Sequence, residues 1–97
     1  MGVSLTDEFV AAPDVVFRDL EGESVLLNLA TGIYFGLNAT GTRMWQLIAE
    51  HQTLGQVLAA LAREFEAPQR QLEQDLLALV ADLESKGLLT RAGRLPR

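Results

Sequence analysis

The sequence predicts an α+β fold, a three-stranded antiparallel sheet followed by three helices. Three observations carry that reading. Residues 25–29 and 33–37 are two strand-length apolar runs rich in Val, Ile, Tyr and Phe, joined by an Ala30-Thr31-Gly32 corner that signals a hairpin. A β-branched run, Val15-Val16-Phe17-Arg18, precedes them, and after Asn38 the apolar residues recur at helical spacing as far as Gly87.

Taken in order, residues 1–12 show little periodicity and are expected to be a loose lead-in to a domain spanning 13–90. Pro13 opens the first strand, and the acidic stretch 19–23 turns the chain, with Gly22 supplying a positive φ. The second strand is placed at 23–29 and the third at 33–37. Such short connections favour an antiparallel meander over a parallel crossover. On the second strand Val25, Leu27 and Leu29 are core candidates, although Leu26 is apolar on the opposite face. On the third, Ile33, Phe35 and Leu37 share one face, and Tyr34 and Gly36 share the other. A glycine inside a strand marks either a bulge leading into the next element or a close approach by another backbone. No later run is assigned to cover this third strand, and an open edge is either a liability or a docking site.

Asn38 is a good N-cap for a first helix over 39–51, in which Met44, Leu47, Ile48 and His51 fall at i, i+3, i+4 and i+7 with Trp45 on the flank. Thr53 and Gln56 form a capping box for a second helix at 54–65, whose apolar face is Leu54, Val57, Leu58, Leu61 and Phe65. The corner between the two helices is tight, as in helix-turn-helix units. Pro68 suits the first position of a third helix, with Leu72, Leu76, Leu79 and Leu83 as its core stripe and Gly87 as its left-handed terminator. Asp75 and Asp82 line one border of that stripe, and Leu77 lies off it. Leu47, Leu58, Leu61, Leu76 and Leu83 complete the expected core. The whole is a winged helix-turn-helix-like arrangement.

Composition narrows the function. The 97 residues contain no cysteine, which excludes disulfides, thiolate metal sites and cysteine nucleophiles. No apolar run approaches the length of about 20 residues that a membrane-spanning helix needs, and the acidic N-terminal stretch is no secretory signal, so a cytoplasmic protein is expected. A net charge of −5 argues against nonspecific binding to nucleic acid or anionic membrane. Three of the eight basic side chains, Arg91, Arg94 and Arg97, sit in a tail at 91–97 that is expected to be solvated. There is no phosphate loop, no serine with a matching histidine and acid, and no spaced metal-ligand set. His51 stands alone. Neither an enzyme nor a cofactor site is expected.

The residues also carry a resemblance. The runs LNLATGIYFGLNATGTRMWQLI, TLGQVLAALAREFEAP and QDLLALVADLESKGLL resemble the PqqD-like family, the precursor-peptide recognition domains of ribosomally made, modified peptides. The similarity covers roughly residues 15–89. Its most specific part is TGIYFGLN at 31–38, supported by GLL at 87–89. The resemblance implies that an extended leader peptide adds as a strand along Ile33, Tyr34, Phe35, Gly36 and Leu37, with its side chains in a groove bounded by Leu72, Asp75, Leu76 and Leu79. It further implies a standalone recognition protein of a lasso-peptide pathway that hands its precursor to a leader peptidase. The alternative within the family is a peptide chaperone serving the radical enzyme of a redox-cofactor pathway. The rival from another class is a DNA-binding winged helix. That would need a basic recognition helix, whereas residues 68–87 hold Arg70 and Lys86 against Glu73, Asp75, Asp82 and Glu84.

Overall fold

The computed structural model describes residues 2–51 and 53–92. Its eight elements are, in order, β1 (Phe9–Ala11), β2 (Val15–Leu20), β3 (Glu23–Asn28), β4 (Tyr34–Leu37), α1 (Ala39–Glu50), α2 (Leu54–Glu64), α3 (Gln69–Ser85) and β5 (Leu89–Arg91). The three-stranded antiparallel sheet has the order β2-β3-β4, so β4 is an edge. The late strand β5 does not cover it. It pairs instead with β1 in a separate two-stranded ribbon, Phe9 opposite Arg91 and Ala11 opposite Leu89.

Register sorts the sheet into two faces. Phe17, Leu26 and Phe35 lie across from one another on the face toward the helices, and Val16, Leu27 and Tyr34 form the matching row on the other face. The expected burial of β3 is therefore inverted. Leu26 is fully buried, Val25 and Leu27 are half-buried, and Leu29 is 63% exposed. The outer face has more apolar residues, but the inner face carries Ser24 and Asn28 beside Leu26. Both are buried with their polar atoms satisfied, Ser24 Oγ against Thr42 Oγ1 at 2.8 Å and Asn28 Nδ2 donating to the Gly87 carbonyl at 3.0 Å.

The helices form where their caps allow. Asn38 Oδ1 accepts from the Gly41 N–H at 2.8 Å. A Cβ on Gly41 would lie 3.3 Å from both that oxygen and Leu37 Cδ2, so the glycine permits the close turn from β4 into α1. The Thr53–Gln56 capping box is present in both directions. Pro68 sits just before α3 with extended ψ, one position earlier than expected. At the other end Gly87 is left-handed, with Leu88 N–H bonding to Leu83 C=O and Gly87 N–H to Glu84 C=O, the paired bonds of a Schellman ending. In α3 the core positions are Leu72, Leu76, Val80 and Leu83. Val80 replaces Leu79, which is half-buried at the margin, and Leu77 packs against the core from its own flank rather than standing exposed.

Residues 2–12 are not a loose lead-in. Phe9 is 2% exposed within the core, and the carbonyls of Leu5 and Asp7 accept the first free N–H groups of α2, those of Gly55 and Leu54, at 2.8 and 3.0 Å. Arg91, assigned to the solvated tail, belongs to β5. It pairs with Asp7 at 2.8 Å and Glu84 at 3.3 Å and lies 5.1 Å over the Phe9 ring. The hydrogen bond it donates to Asp7, with both carboxylates near, holds its guanidinium protonated to higher pH than usual. Arg94 and Arg97 lie outside the described residues.

Candidate peptide-binding edge

The site is assembled where β4 runs past α3. The N–H of Asn28 donates to the carbonyl of Ile33 at 2.9 Å. Bonded and non-bonded pairs alternate in an antiparallel ladder, so this bond fixes the parity along the rest of β4. Phe35 and Leu37 turn their amides inward to Leu26 and Ser24, while Tyr34 and Gly36 turn theirs outward, beyond the sheet. The register is regular through Gly36, so the glycine makes no bulge. A Cβ added there would meet nothing within 4 Å, which leaves open space beside the edge.

Side chains give the edge two different flanks. On the helix side Phe35 is half-buried and Leu37 buried, with Lys86 Nζ 5.9 Å from the Phe35 ring centroid. On the other side Tyr34 is 74% exposed and joins Val16, Leu20, Leu27 and the half-buried Val25 in an apolar face that no element covers among the described residues. Ile33 is exposed and lies just before the strand.

Beyond Leu37 the edge opens onto a depression of about 310 Å³ lined by Asn38, Thr40, Gly41, Met44, Asp75 and Leu79. Here α3 and the start of α1 form two walls next to the end of β4. Asp75 accepts from Gln71 Nε2 at 3.0 Å and has no cationic partner among the described residues. Asp82, one border position further along, is 3.5 Å from Lys86. The helix margin thus presents an uncompensated carboxylate near the end of β4 and an ammonium over Phe35.

Of the helix residues expected to bound the groove, Asp75 and Leu79 line the depression. Leu72 and Leu76 are buried in the core behind it. Sequence reasoning missed the contribution of the first turn of α1, through Thr40, Gly41 and Met44. The cue was the glycine in that turn, which carries no side chain to fill the space. A larger depression of about 450 Å³ lies between the β1–β5 ribbon and α1, lined in part by Phe9, Ile48 and His51. It touches neither β4 nor α3. Among the described residues no group of His, Asp and Glu is arranged to hold a metal, and no helix is long and apolar enough to cross a membrane.

Comparison with known proteins agrees with this geometry. The family model described as coenzyme PQQ synthesis protein D (PqqD) matches residues 23–89, from β3 into β5. Among solved structures, TbiB1 in complex with the TbiA(beta) leader peptide is 32% identical, with a TM-score of 0.75, over 89% of this chain and 98% of that one. Lasso peptide synthetase B1 complexed with the leader peptide is 28% identical, with a TM-score of 0.76, over 86% and 98%. No curated protein matches the chain.

Proposed function

The chain belongs to the PqqD family, and from that premise we propose that it is a non-catalytic cytoplasmic recognition protein for the leader region of a ribosomally made precursor peptide. It takes the leader as a fourth strand beside β4 and presents it to a partner processing enzyme, the leader peptidase of a lasso-peptide pathway. The observation that carries this reading is the edge itself. The outward amides of Tyr34 and Gly36 stand beside the depression that Asp75 and Leu79 line. Two similar structures that hold leader peptides support it, since this chain spans nearly their whole length.

The chemistry is β-augmentation. Backbone pairing sets register and supplies affinity that is independent of sequence, while alternate side chains of the added strand read the pockets. Half of them point toward Phe35, Leu79 and Asp75, where apolar groups gain burial and a donor can meet the carboxylate. The other half extend the open apolar row of Val16, Leu27 and Tyr34. An uncovered apolar face next to the captured strand suits a partner enzyme that must find the complex rather than the free chain.

A second reading keeps the edge and changes the partner. The family description names a protein of coenzyme PQQ synthesis, and on this reading the chain is a peptide chaperone for the radical enzyme of a cofactor pathway. Titration of the fluorescein-labelled TbiA(beta) leader by polarisation tests the shared claim. Saturable binding of this leader, with no binding of duplex DNA at physiological salt, is expected. DNA binding that falls steeply with salt, without leader binding, would contradict it. Pull-down of the leader complex with a peptidase or with a radical enzyme separates the two partners.

A further inference from the structure

We propose that Asn28 is a positioning residue for peptide capture. It sets the spacing between β4 and the C-terminal end of α3, and hence the width of the cleft that the peptide's helix-facing side chains enter. This inference rests on the peptide-capture reading.

Asn28 occupies an inward position on β3, next in line to Leu26, where an apolar side chain would satisfy burial alone. It is instead the hub of a set of hydrogen bonds. Its Oδ1 accepts from the Ala30 and Thr31 amides at 2.8 and 3.2 Å, its carbonyl accepts from Gly32 at 2.8 Å, and its own N–H donates to the Ile33 carbonyl at 2.9 Å. The whole loop that delivers the chain into β4 is wound on this residue. The remaining polar group of the side chain, Nδ2, crosses to the layer beneath and donates to the Gly87 carbonyl at 3.0 Å. Gly87 is the left-handed residue that ends α3. Its predecessor is Lys86, whose ammonium lies over Phe35 of β4.

One side chain therefore ties the start of β4 to the end of α3, the two elements between which the helix-facing side chains of an added strand would lie. At the opposite end the Ser24–Thr42 bond ties β3 to α1, and Asn38 caps α1 beside the depression. Without the Asn28 strut, α3 is held to the sheet at this end by apolar contacts and by Lys86 over Phe35, which resist sliding far less than a directed hydrogen bond does. Asn28 touches no part of the outward edge, so its effect on a bound strand is indirect.

Two functions of Asn28 can be separated chemically. Asn28→Asp keeps the acceptor that winds the loop but removes the donor to Gly87. The test uses the full chain and the fluorescein-labelled TbiA(beta) leader, with two alanine-substituted versions that truncate alternate side chains. Val57→Ala, a buried change in α2 away from the cleft, serves as the stability-matched control. All binding is measured at a temperature where melting curves show each variant folded. Asn28→Asp is expected to weaken the parent leader at least tenfold while Val57→Ala stays within twofold. On one of the two alanine peptides, the one stripped on its helix-facing side, the loss caused by Asn28→Asp should shrink to threefold or less. Binding within twofold of the parent protein, or equal losses on all three peptides, would overturn the proposal. If Asn28→Asp does not fold, Asn28→Ser takes its place and is read in the same way, because its hydroxyl can serve the loop yet is too short to reach Gly87. Failure of the unmutated protein to bind any of the peptides would overturn the capture reading itself, and this inference with it.

Discussion

Lys86 stands over Phe35, its ammonium 5.9 Å from the ring centroid. The contact joins the last turn of α3 to the inner face of the edge strand and sets the direction of the site. From Phe35 the strand runs toward Asn38, while α3 runs back from Lys86 to Leu79 and Asp75. Strand and helix are thus opposed, with a cationic end over Phe35 and an anionic end at the depression. A peptide laid along this edge meets both charges. Asp75 is the one with no cation beside it among the described residues.

That asymmetry makes Asp75 the best side-chain probe of recognition. Asp75→Ala should leave the fold within about 0.5 kcal/mol of the parent, because the residue is exposed and among the described residues its carboxylate bonds only to Gln71. Leader binding should weaken by about 1.5–3 kcal/mol if the carboxylate receives a charge-assisted bond. Gln74→Ala, also exposed on α3 but outside the depression, is the control and should bind as the parent does. Glu84 is unsuitable because it is paired with Arg91. Polarisation titration with melting curves on the same samples checks both halves.

The N-terminal segment gives a prediction that separates fold from edge. Phe9→Ala removes a ring that is buried where the ribbon meets the core, and should cost about 3–5 kcal/mol. Val10→Ala, on the exposed side of the same strand, should stay within about 0.5 kcal/mol. Urea denaturation measures the difference. Equal and small effects would mean that β1 contributes nothing to stability.

Much of this architecture was legible in the sequence. The hairpin, the open third strand, the Thr53–Gln56 box and the Gly87 terminator all depend on neighbours within a few residues, where propensity and capping chemistry decide. The misses depend on distant partners. The burial of β3 was inverted because Ser24 and Asn28 look like surface residues until Thr42 and Gly87 arrive to satisfy them. β1 and β5 are three residues each and carry no periodicity of their own. They exist through pairing across nearly the whole chain length. Asp75 and Leu79 were placed at the groove, while Leu72 and Leu76 turn into the core, since a stripe read at helical spacing does not say where its margin falls.

A local feature offers a stabilising change. In the β2–β3 turn both central residues are at positive φ, Glu21 at 59° and Gly22 at 93°. This is the mirror-type hairpin turn that favours Asn-Gly, and glutamate there is strained. Glu21→Asn should raise stability by about 0.5–1 kcal/mol without altering leader affinity, because Glu21 neither pairs with β4 nor lines the depression beside Asp75. A shift in the denaturation midpoint with an unchanged binding curve is the expected result. Lower stability would mean that Glu21 is held there by contacts that outweigh its strain.

The central claim, strand addition at β4, is tested most directly by amide hydrogen exchange with and without saturating leader peptide. The ladder parity set by the Asn28–Ile33 bond assigns the open amides to Tyr34 and Gly36. Those two should exchange readily in the free protein and become protected in the complex. Phe35 and Leu37, already bonded to β3, should change little. Saturation of the protein by leader with no new protection at Tyr34 and Gly36 would contradict strand addition and place the peptide elsewhere.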